Sequence, residues 1–131
     1  MQLEQIHTRP DPYAPYLLSQ AIRAGGLVFV SGQAGVGDDG AIVGPDFDRQ
    51  ADQAFRNLER ALKAAGSGLD RIAKVTIYLT SMAHFPKIVE LRRKWFSPPY
   101  PADTIVEVSA LYSPEAMIEI EAVAIAGDAS P

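Results

Sequence analysis

No cysteine occurs anywhere in the chain. Disulfides, thiolate metal sites and a thiol nucleophile are therefore excluded. Histidine is almost as scarce: His7 and His84 stand far apart without ligand spacing, so no metal site is expected. No apolar run approaches the length that spans a bilayer. A basic stretch leading into an apolar one is missing near Met1, so no secretory signal is expected and the chain reads as cytoplasmic. Positive charge is in deficit, with 12 Lys and Arg against 16 Asp and Glu and a net charge of -4. That balance argues against nucleic acid or an anionic membrane surface as partner. Gly32, Gly35 and Gly37 are not followed by a Lys with Ser or Thr, so they mark turns and not a phosphate loop.

What is present suits one globular unit. A chain of 131 residues, 47% hydrophobic and 21% charged, predicts a single domain over 1–131 with one core and no linker or repeat. Leu3 to His7 reads as a first strand, and Pro10, Pro12 and Pro15 then force an irregular segment. Ser19 to Ala24 and Leu27 to Ser31 read as strands around a Gly25-Gly26 turn. Asp46 caps a helix to Ala65, whose stripe of Phe47, Ala51, Ala54, Phe55, Leu58, Ala61 and Leu62 ends at Gly66. Ile72 to Thr80 alternates as a strand. A second helix is expected from about Ala83 to Phe96, with Phe85, Ile88, Val89, Trp95 and Phe96 on one face. Thr104 to Leu111 and Met117 to Ile125 close the order β-β-β-α-β-α-β-β. This predicts an α+β fold: a six-stranded mixed sheet with both helices packed on one face. The other face carries Ile, Val and Tyr, so burial between copies of the chain is expected, with a binding cleft between them.

Two carboxylates stand out because each sits in an apolar, strand-like run. One is Asp103 in Pro101-Ala102-Asp103-Thr104, and the other is Glu119 in Met117-Ile118-Glu119-Ile120-Glu121. A buried carboxylate costs free energy unless something satisfies it. If the two lie close, one is pushed toward a higher pKa, which would give an acid and a base from the same residue type. Simpler readings exist for each. Glu119 could pair across an interface, Asp103 could bridge to Arg92 or Arg93, and Glu121 suits a structural role. Arg92-Arg93-Lys94 reads as a solvated helix face. Ser31 has no neighbouring histidine to activate it, so a nucleophile is not expected there.

Several short stretches together resemble the RidA family, also called the YjgF family. They are Ser19-Gln20-Ala21, Val30-Ser31-Gly32-Gln33, Gln50 with Asn57-Leu58, Lys74-Val75-Thr76, His84-Phe85, Phe96, Pro101-Ala102, and Ile118-Glu119-Ile120-Glu121-Ala122. The resemblance implies a chorismate-mutase-like homotrimer with equivalent clefts between subunits and no cofactor. It implies hydrolysis of reactive enamines and imines, with Glu119 directing the attacking water and Ser31 orienting a small-molecule ligand. The family's carboxylate-gripping arginine falls at Asp103, flanked by Ala102, Thr104 and Ile105 as the rest of the expected binding wall. The family tyrosine before Gln20 falls at Leu18, which leaves Tyr16 as the phenol able to enter the cleft. A helix asparagine falls at Val89. Two functions follow as alternatives: a deaminase-type hydrolase of altered substrate choice, or a non-catalytic trimer that binds a metabolite or a protein partner. Ribonuclease activity, attached to some family members, is disfavoured by the acidic balance.

Overall fold

The computed structural model describes residues 2–127; residues 1 and 128–131, included in the single-domain reading, lie outside the described residues. The strands are β1 (Leu3–Ile6), β2 (Ala21–Ala24), β3 (Leu27–Ala34), β4 (Ile72–Leu79), β5 (Ala102–Glu107) and β6 (Ile118–Ile125). The helices are α1 (Phe47–Ala64) and α2 (Phe85–Trp95). The six strands form one sheet in the order β1-β2-β3-β6-β4-β5. Only β4 and β5 run parallel, because α2 carries the chain across between them; the other pairings are antiparallel.

The ends of α1 explain its position. Asp46 accepts a hydrogen bond from the Arg49 amide at 3.3 Å, and Gly66, at φ +78°, reverses the chain after Ala65. Ser67 N–H donates to Leu62 and Gly66 N–H to Lys63, so the last carbonyls are satisfied. Between these caps the apolar stripe of α1 is buried against Val28, Val75, Ile77, Leu79, Ile118, Ile120 and Ala124. Alternation puts these residues on one sheet face, and both helices cover that face. Phe55 stacks on Trp95 and meets Phe96 edge-on, which locks α1 to α2.

Three details differ from expectation. In α2, Phe85 and Val89 are exposed, and the core contact comes from Ile88 with Leu91 and Trp95. β5 begins at Ala102 and stops at Glu107, since its only ladder partner, β4, runs out at Leu79. β3 continues past Ser31 to Ala34 through a bulge. Val30 pairs with Ala122 and Gln33 with Ile120, so Ser31 and Gly32 together oppose Glu121. A bulge bends its strand and re-aims the neighbouring side chains.

Candidate active site

The bulge is held from behind by buried amides. Gln33 Nε2 donates to Ser31 O at 2.9 Å, and Asn57 Nδ2 donates to Ala34 O and Val36 O at 3.0 and 2.9 Å. Ser31 itself donates through Oγ to Ser19 O at 2.6 Å. These bonds fix one wall of a hollow of about 430 Å³. A second clamp places β6. Gln50, fully buried on α1, donates to Gly44 O and Glu115 O at 2.7 and 2.9 Å and accepts from Met117 N–H at 2.8 Å. β6 then delivers Glu119 into the hollow, opposite Tyr13, Tyr16 and Tyr112.

Glu119 pairs with Tyr78 in register and projects from the sheet face that the helices leave open. Its carboxylate lies over Gly32, where an added Cβ would stand 2.2 Å from Oε1. Only glycine leaves that space. Burial, and then the charge of Glu121 on the same face, raise the Glu119 pKa above the ordinary glutamate value. Tyr13 donates its hydroxyl to the Gly32 carbonyl and so straps the proline-rich segment across the hollow. Its phenol is pushed up by burial and then by Glu119, and Tyr112 is raised by the same two causes. No Lys, Arg or His is among the described lining residues. The hollow is aromatic, carries one carboxylate, and suits a small ligand with a positive or positively polarised nitrogen.

The expected residues divide into two groups. Glu119, Ser31 and Tyr16 line this hollow together. Asp103 does not join them. It pairs in register with Val75, a core residue, and so projects from the helix-covered face, opposite to Glu119. There its Oδ2 accepts from Arg92 Nε at 2.9 Å, the bridging role weighed against a ligand contact. Within one chain Asp103 and Glu119 therefore stand on opposite sheet faces, and it is Glu121 that presses on Glu119. Glu121 in turn accepts from the Tyr78 hydroxyl at 2.9 Å. Ala102 and Thr104 lie on the open face, where Thr104 Oγ1 accepts from Lys74 Nζ. Ile105, partly buried, turns toward the helix-covered face and packs against the core. Arg92, 28% exposed, lines a second, open hollow beside Asp103.

Tyr13, Tyr112 and Gly32 went unassigned in the sequence reading. Tyr13, between Pro12 and Pro15, carried a usable signal: an aromatic in a segment too stiff to fold into the core. His84 occupies the N-cap position of α2 without a side-chain capping bond, and its ring stacks on Phe47 with centroids 4.0 Å apart. Among the described residues no group of three His, Cys, Asp or Glu could hold a metal ion. No described helix is long and apolar enough to cross a membrane.

Residues 6–126 match the family model described as Endoribonuclease L-PSP. A RutC family protein from Pyrococcus horikoshii is 41% identical over 116 residues, covering 88% of this chain and 90% of its own. A 2-iminobutanoate/2-iminopropanoate deaminase from Dermatophagoides farinae is 35% identical over 118 residues, 88% of this chain and 89% of its own. The chain belongs to the RidA family. The crystal structure of RidA from an Antarctic Psychrobacter superposes with a TM-score of 0.86 at 33% identity, covering 93% of this chain and 98% of that one. The RidA-family fold thus extends over almost all the described residues.

Proposed function

We propose that this RidA-family chain hydrolyses the C–N bond of an imine, enamine or related small amino compound in the Glu119 hollow. One observation carries the reading: a half-buried glutamate of raised pKa faces three phenols in a hollow whose described lining residues include no Lys, Arg or His. Hydrolysis of a C–N bond needs a group that accepts a proton from water and later donates one. Glu119 as carboxylate takes a proton from a water while its oxygen adds to the imine carbon. The protonated Glu119 then returns the proton to the nitrogen; as the carbonyl forms, the carboxylate takes the hydroxyl proton and neutral ammonia leaves. An enamine first takes a proton at carbon and enters as the imine. A pKa above the usual carboxylate range suits a group that must accept and then donate. The tyrosine faces stabilise the iminium that precedes attack, and Ser31 flanks the reacting centre.

The assembly proposed is a homotrimer. Phe29 and Ile125 are exposed on the open sheet face beside Ile22 and Val123, an apolar surface that a second copy would cover. The test is direct. Imines generated in situ from a panel of amino acids are followed for ammonia release above the spontaneous rate. Glu119→Gln should return the rate to the spontaneous one. Absence of release across the panel, with the fold intact, would favour the second reading, a non-catalytic trimer that binds a metabolite or a protein. Asp103 at the position of the family arginine supports that alternative. Thermal-shift screening separates the two, since a binder stabilises without turnover.

A further inference from the structure

The walls of the Glu119 hollow can be sorted by what their polar hydrogens do. Ser31 donates its hydroxyl to Ser19 O at 2.6 Å, and Tyr13 donates its hydroxyl to Gly32 O. The backbone N–H groups of Tyr16, Ser31, Val36 and Gly40 donate to Tyr13 O, Gln20 O, Ala34 O and Gly37 O. The Tyr13 N–H donates to Asp11 Oδ1 at 3.0 Å. All of these donors are spent inside the chain. An anionic ligand would find none of them, whereas the oxygens of Ser31, Tyr13 and Glu119 keep lone pairs for a ligand that donates. The two lining hydroxyls left over, on Tyr16 and Tyr112, belong to exposed side chains.

Charge acts in the same direction. The six strands carry two cations, and both are engaged elsewhere. Arg23 donates to Ala65 O and Gly127 O, and Lys74 donates to Thr104 Oγ1. Glu121 adds a negative charge to the sheet face that carries Glu119. An adjoining hollow of about 410 Å³ shares Tyr16, Gly40 and Tyr112 with the first and ends at Glu115. An anion would therefore meet like charge on both sides of Tyr112. A cation would meet carboxylates and phenol faces.

We infer that the Glu119 hollow selects a carboxylate-free nitrogen cation, so that the imines it hydrolyses best derive from simple primary amines and those of amino acids are weaker substrates. The turnover rests on the proposed hydrolysis, while the binding preference stands on the donors and charges alone. The Ser31 oxygen accepts from the iminium N–H, Glu119 answers its charge, and the apolar skeleton lies against Tyr13 and Tyr112. Water's oxygen bonds to the imine carbon, the C–N bond breaks, and an aldehyde or ketone leaves with ammonia. The reaction that supplies such a substrate is oxidation of a primary amine to its imine.

The test uses the full-length protein and ligands that differ in one group. 2-Phenylethylammonium should raise Tm, and 3-phenylpropanoate, with a carboxylate in place of the ammonium, should not. Uncharged 2-phenylethanol should bind about 10-fold more weakly than the amine. Glu119→Gln should cost the amine about 10-fold in Kd and leave the alcohol unchanged. Tyr112→Leu, at an exposed position, should keep the parent Tm and weaken the amine more than the alcohol. For turnover, one flavin-dependent oxidase generates the imine of 2-phenylethylamine and another that of phenylalanine, which differs by its carboxylate. Ammonia release should favour the first imine by about 10-fold in kcat/KM. Amine binding that needs Glu119, without release from either imine, supports the inference while ending the hydrolase reading. Equal or faster release from the phenylalanine imine, amine binding indifferent to Glu119→Gln, 3-phenylpropanoate binding as tightly as the amine, or a parent protein that ignores both, overturns it.

Discussion

Gly32→Ala is the sharpest probe of the proposed chemistry, because it adds one methyl and touches one functional group. That methyl would stand 2.2 Å from Oε1, 2.8 Å from Cδ and 3.0 Å from Cγ of Glu119. Ordinary contact begins near 3.4 Å, so the carboxylate must retreat by about 1.2 Å. The group that gives way is the end of a flexible side chain, so the fold survives at a cost of about 0.5–1.5 kcal/mol. Misplacing a catalytic group by about 1 Å costs about 100-fold in rate. Ammonia release should therefore lose about two orders of magnitude in kcat/KM while Tm falls by only a few degrees. Gly26→Ala is the matched control, since nothing lies within 4 Å of its added carbon. A second readout needs no substrate. The Tyr112 phenol is raised by burial and then by Glu119, so moving that carboxylate should lower its titration in ultraviolet difference spectra. Parent-like kcat/KM in Gly32→Ala, or an equal loss in Gly26→Ala, would refute the reasoning.

Two further outcomes follow from the same geometry. Glu119 has a raised folded-state pKa, so the folded state holds its proton more tightly than the unfolded chain does. That stabilising bias is present at low pH and is lost as pH rises through the raised value. Glu119→Gln should therefore exceed the parent in Tm at neutral pH, with the gap closing below the ordinary carboxylate range. Activity should fall with acid along the same titration, and thermal scans and rate profiles across pH check both. Gln50→Leu removes three bonds that fix the approach to β6 and leaves two carbonyls and one N–H without a partner. A loss of about 3 kcal/mol or more in urea unfolding is expected, together with reduced activity, because Glu119 follows two residues after the freed Met117 amide.

Much of this was legible in the chain. α1 could be read from Asp46 to Gly66 because cap, stripe and stop agree, and β4 from a clean period of two. Glu119 stood out because an acid between Ile118 and Ile120 has no packing reason to be there. The orientation of Asp103 stayed open for a definite reason. Its face depends on which β4 residue it pairs with, and a slip of one residue would exchange the two faces. No local pattern fixes that register. The basic run after Leu91 divides similarly: helix rotation turns Arg92 toward β5 while Lys94 reaches Asp52 on α1. The bulge at Ser31 and Gly32 was hidden because its cause lies in buried amides contributed by distant segments.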